Sequence, residues 1–447
     1  MLRSSLKDPG AKPRLVHVVT VPMTLEFFLR GQITYLKERG FEVIAVSSPG
    51  QALERVRERD GIAVYPVAMT RHISPLSDLA SLIRLILLFR KLRPTIVHAS
   101  TGKAGPLAML AATLARVPVR IYGLRGIMVD RRTGLAGLVL RAMEHLSCRL
   151  ADRVIAVSRS VADVIISGGY CDPDKLTVPA HGSSNGVDAT GRFDPRLLPP
   201  QSRVDLRARY SIPSEAFVIG FIGRVVAGKG VRELEEAWSL LSITHTRVFL
   251  IIVGEAEAQD PVPEDVLQRL RNDQRVVWID YVPNEEMPLL YSAMDLVVLP
   301  SYSEGLPNVP LEAAAMELPV VATRVTGCVD AVLDGVTGTL VPPRNGRALA
   351  EAINRYVEDG RDLQRRHGTA ARIRVLREFK QESIWEAICR EYLGVLEKKG
   401  LTAGIPWDAV EESGKTRESF SGPHMTGQGL KMHIRHTLDC ARRLRDR

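Results

Sequence analysis

The chain has 447 residues, of which 45% are hydrophobic and 25% charged, and this balance is typical of a globular protein of two domains. A net charge of +9 favours an anionic partner. Only 5% of the residues are aromatic, and no basic run is interleaved with Phe or Tyr, so we predict no nucleic-acid partner. Five widely separated cysteines without a CxxC pair indicate a reducing, cytoplasmic location.

The chain start and the apolar runs argue against secretion and against a membrane span. The first residues place Pro and Gly where a signal peptide needs a continuous apolar core. The best apolar run, residues 76–89, is interrupted by polar and charged residues and falls short of the roughly 18 residues that a spanning helix needs. We therefore expect no integral membrane protein.

Short apolar segments alternate with longer amphipathic ones along most of the chain. LVHVVTV, FEVIAVSS, TIVHAS and RVIAVS are typical of buried parallel strands, and the segments between them are typical of helices. The alternation stops in a stretch rich in Gly, Ser, Asp and Pro, residues 179–213, and resumes with FVIGFIG. The pattern predicts an α/β protein with two doubly wound, Rossmann-like domains whose strand ends face a shared central cleft.

The same pattern divides the chain into five parts. These are an amino-terminal Rossmann-like domain (1–190), a linker (191–213), a second Rossmann-like domain (214–380), a closing amphipathic helix (381–398) and a polar tail (399–447).

The segment FIGRVVAGKG joins a predicted strand, Phe217 to Ile222, to a helix that begins near Val231. Its loop carries Arg224 and Lys229 between glycines. Flexible backbone, two cations and a helix amino terminus together suit a diphosphate. Such loops also connect strands to helices without binding a ligand, and that alternative stays open.

Two carboxylates lie around the next predicted strand-to-helix junction. Glu304 is in the loop after the strand Asp295 to Leu299, and Glu312 is in the first turns of a helix that starts near Val309, with Asn308 as its expected N-cap. The alternative is that Glu312 only complements the helix dipole. A pair so spaced can bind hydroxyls on two neighbouring rings, unlike a glycosidase pair, which flanks one bond.

The stretch EGLPNVPLEAAAMELPVVAT, with its Glu-x7-Glu spacing, and the upstream GRVVAGKG closely resemble retaining glycosyltransferase family 4, which has the GT-B fold. HAST, DRVIAVS and GSSNGVD also resemble stretches of its bacterial members, and the likeness covers about residues 14–395.

The resemblance implies a nucleotide-sugar co-substrate, with neither a cofactor nor a metal. It implies that Arg224 and Lys229 hold the donor diphosphate, that Glu304 contacts the donor sugar and that Glu312 binds the ribose. Further substrate-binding positions are Gly223, Gly305, Leu306, Asn308 and Val309, the last three through backbone amides. Pro307 has no amide hydrogen, so the contacts in this loop differ in detail.

Two departures from the family concern the acceptor side of the cleft. The first strand is followed by TVPMTLEFFLRGQ rather than a Gly-rich loop, and IYGLRG places Arg125 where many members carry a histidine. Arg125 would neutralise the leaving diphosphate or hold an acceptor phosphate; the alternative is a surface arginine. His98, which closes TIVHAS, is expected to be packed inside the protein rather than catalytic.

A basic amphipathic segment follows in the predicted helix Leu76 to Leu92, and arginines enrich a second region of the first domain. Such faces rest on anionic lipid headgroups, although an apolar stripe is also typical of a helix that covers a sheet. The apolar residues are Leu79, Leu82, Ile83, Ile86, Leu87 and Phe89, and the basic ones are Arg84, Arg90, Lys91, Arg93, Arg131, Arg132, Arg141 and Arg149.

These observations together predict a hexosyltransferase that moves a sugar, with retention, from a UDP-sugar to a lipid-linked or cell-surface glycan precursor at the inner face of the membrane. Two alternatives remain: a GT-B nucleotide-sugar epimerase or hydrolase, and a non-catalytic protein that binds sugar nucleotides. A Rossmann dehydrogenase fits less well because no GxGxxG follows the first strand.

Overall fold

The structure is a computed structural model, and it describes residues 12–70, 74–100, 102–127, 134–359 and 361–401. Arg131, Arg132 and all but the first three residues of the polar tail predicted at 399–447 lie outside the described residues.

A parallel sheet organises the first half of the chain. Its strands in the described residues are β1 (Arg14–Val18), β2 (Glu42–Ser47), β3 (Ala63–Pro66), β4 (Ile96–Ser100), β5 (Val119–Leu124), β6 (Arg153–Ala156) and β7 (Leu176–Thr177). They lie in the order β3-β2-β1-β4-β5-β6-β7. Apolar residues fill most of β1, β2, β4 and β5, as expected of strands that are covered on both faces.

The helices of this half lie between the strands. They are α1 (Pro22–Phe28), α2 (Gln32–Glu38), α3 (Gln51–Asp60), α4 (Pro75–Leu92), α5 (Ala104–Leu114), α6 (Gly134–Leu150) and α7 (Arg159–Ser167). The fixed φ of Pro75 suits the first position of a helix, which sets the start of α4.

A second parallel sheet follows helix α8 (Ser202–Arg209). Its strands in the described residues are β8 (Phe217–Ile222), β9 (Val248–Val253), β10 (Val276–Ile279), β11 (Leu296–Leu299), β12 (Val320–Thr323) and β13 (Gly338–Val341), in the order β10-β9-β8-β11-β12-β13. The predicted pair of doubly wound α/β domains is confirmed.

The remaining helices cover the second sheet and close the chain. They are α9 (Val231–Thr244), α10 (Glu264–Asn272), α11 (Met287–Ser292), α12 (Asn308–Ala315), α13 (Cys328–Ala331), α14 (Gly346–Glu358), α15 (Arg361–Glu378) and α16 (Gln381–Lys398). Helix α16 returns to the first half, where the Tyr392 hydroxyl lies 2.6 Å from His98 Nδ1 and Trp385 Nε1 donates to Asn185 Oδ1 at 2.7 Å.

In each sheet the first strand lies in the middle, and the strands that follow it are added first on one side and then on the other. In the second sheet β8 lies between β9 and β11, so the loops that follow β8 and β11 leave the same edge side by side. Open α/β sheets bind ligands at such a switch point. This topology places the loop of Arg224 and Lys229 next to the loop of Glu304.

The prediction that Asn308 is the N-cap of α12 is wrong. Pro307 precedes the first helical residue, and Asn308 is already inside the helix. Pro307 has an extended backbone and no N–H group to leave unpaired, so the helix begins directly after it.

None of the described helices combines the length and the apolar content that crossing a bilayer requires.

Candidate active site

The loop after β8 is tied to its neighbours by backbone hydrogen bonds. The Ala227 N–H donates to the Asp260 carbonyl at 2.9 Å, and the Tyr302 N–H donates to the Gly228 carbonyl at 2.9 Å. The second bond joins the loops after β8 and β11. The chain then makes a short 3-10 turn, Ala227–Lys229, before α9 begins.

Lys229 Nζ donates to Glu304 Oε1, so the structure brings two predicted site residues into direct contact. Both side chains are largely buried, with 21% and 13% of their surface exposed. The contact uses one carboxylate oxygen of Glu304 and leaves the second oxygen available as an acceptor. The pair therefore offers a cation and a hydroxyl acceptor at one point of the cleft.

Arg224 does not join this pair. Its guanidinium Nη1 donates to Glu257 Oε2 at 2.9 Å, and 57% of the Arg224 side chain is exposed. An ion pair so exposed stabilises the fold by little, about 0–1 kcal/mol. Arg224 can therefore exchange Glu257 for a stronger anion at small cost.

A cavity of about 410 Å³ lies between the two halves of the chain. Asn308 and Glu312, one turn apart on α12, share its wall, and Gly223 lies at the end of β8. Phe28, at the end of α1, lines it from the opposite side. Its volume is in the range of small-molecule sites.

Glu312 is held in this cavity by a tyrosine from the neighbouring helix. The Tyr291 hydroxyl donates to Glu312 Oε2 at 2.9 Å, which leaves Oε1 as an acceptor. Burial raises the pKa of Glu312, while the positive charge of Arg192 and the tyrosine hydrogen bond oppose this rise. Arg192 lines the same cavity, and its Nε atom is buried without a hydrogen-bond partner among the described residues.

Comparison with known proteins shows the family of this chain. A family model for group 1 glycosyl transferases matches residues 202–374, and a model for a glycosyl transferase 4-like domain matches residues 11–181. The capsular polysaccharide biosynthesis glycosyltransferase CapM of Staphylococcus aureus is 34% identical over 84% of this chain and 95% of its own. The chain belongs to the family 4 type of GT-B glycosyltransferases.

Two further similarities are more distant. A UDP-Gal:alpha-D-GlcNAc-diphosphoundecaprenol alpha-1,3-galactosyltransferase of Escherichia coli is 24% identical over 79% of this chain and 90% of its own. The crystal structure of Anabaena HepE in complex with UDP-glucose superposes with a TM-score of 0.72 at 23% identity, covering 85% of this chain and 99% of HepE. The second likeness shows that the glycosyltransferase has the GT-B fold.

Arg125 of this glycosyltransferase lies beside Phe28, which lines the cavity, and not on the outer surface. Its guanidinium carbon is 5.7 Å from the centre of the Phe28 ring, and its Nη1 atom is buried without a hydrogen-bond partner in the described part of the chain. Burial lowers the pKa of Arg125 to about 10, so the group remains a cation at neutral pH. A buried cation at the cleft can meet a phosphate but cannot serve as a base.

His98 is packed in the interior of the first domain, as the sequence predicted. Its ring lies 5.2 Å from that of His17 on the adjacent strand, and its Nδ1 atom meets Tyr392 of α16. Burial and the nearby Arg125 lower the pKa of both histidines, that of His17 to about 3. The two rings are therefore neutral and act as parts of the core.

The two domains meet at the loop that carries Glu304. A side chain at Gly305 would place its Cβ atom 2.1 Å from the Arg125 carbonyl oxygen, so only glycine fits there. Leu306 packs against the cores of both domains, and Val309 packs against the core of the second. The sequence assigned Gly305 and Leu306 to substrate binding, and the structure shows that they also form the contact between the domains.

The sequence interpretation missed three residues near this site. Tyr291 lies in a helix with no distinctive motif, and Arg192 lies at the start of the stretch predicted as a linker. Ser158 ends DRVIAVS, a segment whose resemblance to the family was noted without a role, and its hydroxyl donates to the Gly305 carbonyl at 2.8 Å. The resemblance of DRVIAVS to the family was the one signal in the sequence that pointed to Ser158.

Proposed function

We propose that this glycosyltransferase is a hexosyltransferase that moves a sugar from a UDP-sugar, with retention of its anomeric configuration, to a hydroxyl of a lipid-linked or cell-surface glycan precursor. The contact between Lys229 and Glu304 carries the proposal, together with the cavity that Glu312 lines. In the proposal, Lys229 binds the diphosphate, Glu304 binds the sugar and Glu312 binds the ribose of the same donor.

Two relatives support the choice of donor and acceptor. The Escherichia coli relative is named for UDP-Gal and a diphosphoundecaprenol-linked acceptor, and the Staphylococcus aureus relative is named for capsular polysaccharide biosynthesis. The buried cation of Arg125 suits an acceptor that carries a phosphate.

In the proposed step the acceptor oxygen attacks the anomeric carbon on the face that the diphosphate leaves. The bond between the anomeric carbon and the phosphate oxygen breaks, and its electron pair stays on that oxygen. The acceptor proton passes to the same oxygen as the new glycosidic bond forms. Glu304 is paired with Lys229, and we assign it to the sugar hydroxyls and not to a covalent intermediate.

We assign the stabilisation of the negative charge that develops on the leaving diphosphate to Lys229 and Arg224, together with the N–H groups of the first turn of α12. The first N–H groups of a helix have no acceptor within the helix and favour an anion. This division of roles makes the proposed reaction independent of a metal.

The acceptor side also suggests where the enzyme works. We propose that it acts from the cytoplasmic side, with the outer face of α4, α5 and α6 against the membrane. Helix α5 packs against both α4 and α6. Among the described residues, exposed large apolar side chains on these helices are Leu76, Leu79, Ile83, Leu87, Leu114, Leu138, Val139 and Leu146.

Charge on this three-helix face supports the same orientation. Arg84, Arg90 and Lys91 on α4 are exposed. The two acidic residues on the three helices do not oppose an anionic surface, because Asp78 pairs with Lys103 and Glu144 is buried. Phe89 belongs to the core, so α4 is apolar on both its inner and its outer face.

A panel of nucleotide sugars offered with membrane lipid extract tests the proposed reaction. We expect UDP release that depends on the extract, a new glycolipid with the donor's anomeric configuration, and no loss of activity in EDTA. Conversion of the donor without extract would indicate an epimerase or hydrolase. Binding without turnover would indicate a non-catalytic protein.

The same assay applied to Glu304→Ala tests the site. We expect turnover to fall at least about a hundredfold, because the substitution removes a charged hydrogen-bond partner of the reacting sugar. Glu351→Ala, on the exposed side of α14, is the matched control and should keep full activity. Near-normal turnover by Glu304→Ala, with the fold intact by circular dichroism, would refute the assignment.

A further inference from the structure

Two serines at the start of α7 reach across the domain boundary. Ser158 is the N-cap of α7: its hydroxyl accepts from the Val161 N–H at 3.3 Å and donates to the Gly305 carbonyl at 2.8 Å. The Ser160 hydroxyl accepts from the Gly327 N–H at 2.8 Å and donates to the Asp330 carboxylate. Both hydroxyls thus use a donor and an acceptor function, and each binds a peptide group of the other domain.

The two glycine peptides lie on either side of Glu304. Gly305 follows it directly, and the Glu304 N–H donates to the Thr326 carbonyl at 3.2 Å, one residue before Gly327. Gly327 has φ of 78°, and a Cβ atom there would lie 2.3 Å from the Gly305 carbonyl oxygen. The segments around Gly305 and Gly327 are therefore in close contact and cannot shift independently.

The residues assigned to the ribose of the donor lie apart from this junction. Asn308 and Glu312 line the nucleotide cavity, and the Tyr291 hydroxyl holds Glu312 from inside the second domain. Across the domain boundary, the hydroxyls of the two serines bind the backbone around Glu304 and the carboxylate of Asp330. The ribose end of the proposed nucleotide site and the placement of Glu304 therefore depend on different residues.

We propose that Ser158 and Ser160 are positioning residues for glycosyl transfer. By binding the Gly305 and Gly327 peptides when the domains close, they fix the backbone of Glu304 so that its carboxylate meets the donor sugar next to Lys229. This inference rests on the proposed function, because it assigns Glu304 to the donor sugar. It predicts a loss in kcat without a matching loss of nucleotide affinity.

Ser160→Ala tests the contact between the domains more directly than Ser158→Ala, because Ser158 is also the N-cap of α7 and its substitution removes the cap. We expect kcat to fall about five- to tenfold, as for the loss of one hydrogen bond in the reacting complex. The Kd for UDP, measured by calorimetry, should change less than about twofold. Ser160→Thr retains the hydroxyl and should recover most of kcat.

Ser167→Ala, at the exposed end of the same helix, is the matched control and should match the wild type. An unchanged kcat for Ser160→Ala, or a loss of UDP affinity as large as the loss of kcat, would overturn the proposal.

Small-angle scattering separates failure of this inference from failure of the proposed function. It compares the wild type with a Ser158→Ala/Ser160→Ala double variant, both saturated with UDP, and needs no turnover. A larger radius of gyration for the double variant supports the role of the serines in closure even if no acceptor is found. Equal radii would overturn it even if the wild type transfers sugar.

Discussion

Arg192 influences the donor site through the charge of Glu312. Both residues line the nucleotide cavity, and burial raises the pKa of Glu312 while Arg192 opposes the rise. The proposed ribose site favours an ionised carboxylate, because hydrogen bonds from hydroxyl groups to a charged acceptor are stronger than those to a neutral one. We therefore expect Arg192 to extend the pH range over which the donor binds.

We expect Arg192→Gln to raise the KM for the donor most strongly at low pH. Removing the positive charge raises the pKa of Glu312 further, so the carboxylate is protonated over a wider acidic range. The KM should rise more at pH 6 than at pH 8.5, with little change in kcat. The measurement is a pH series of initial rates.

Arg192→Lys keeps a positive charge and should stay close to the wild type at both pH values. An increase in KM for Arg192→Gln that is the same at every pH would contradict the hypothesis that Arg192 acts through the protonation of Glu312. It would show instead that the arginine contacts the donor itself.

The two-domain fold and the site residues Lys229 and Glu304 could be predicted from the sequence, because the fold and these residues follow from local sequence patterns. Strand-to-helix junctions place their loops at one sheet edge, and the family motif marks the residues on them. Arg192 and Ser158 were missed because their partners lie more than 100 residues away. Periodicity within a short window carries no information about such contacts.

The junction of β1, β4 and α16 connects the closing helix to the first sheet. His17 and His98 lie side by side on the two strands, with Tyr392 of α16 against them and Arg125 nearby. The pKa of His17 is lowered to about 3, chiefly by burial, so its folded value lies below the unfolded value of 6.5. The unfolded chain then binds more protons, and stability falls as pH drops below about 6.5.

For His17 alone, this linkage lowers the free energy of unfolding by about 2 kcal/mol between pH 6.5 and pH 5. His17→Gln should reduce the pH dependence by that amount and leave the part that comes from His98. Urea unfolding at several pH values measures the slope directly. His145→Gln, on the exposed side of α6, is the control, and an equal change of slope in both variants would refute the argument.

At the scale of the whole molecule, a net charge of +9 and the three-helix face formed by α4, α5 and α6 act together in the proposed membrane contact. Apolar side chains supply contact area, and the basic residues around them attract anionic headgroups within a Debye length of about 10 Å at 0.1 M salt. Neither contribution alone orients an enzyme toward a lipid-linked acceptor.

We expect the enzyme to co-sediment with vesicles that contain phosphatidylglycerol, and less with pure phosphatidylcholine, and to detach as salt rises from 0.1 to 0.5 M. Leu79→Glu/Ile83→Glu should weaken this binding about tenfold or more, because both changes put a charge on the face that meets the lipid. Leu240→Glu/Ile243→Glu is the matched control, since these side chains are also exposed but lie on α9 of the second domain. If the control pair weakened binding as much as the α4 pair, the membrane would not be contacting α4, and the three-helix face would need another partner.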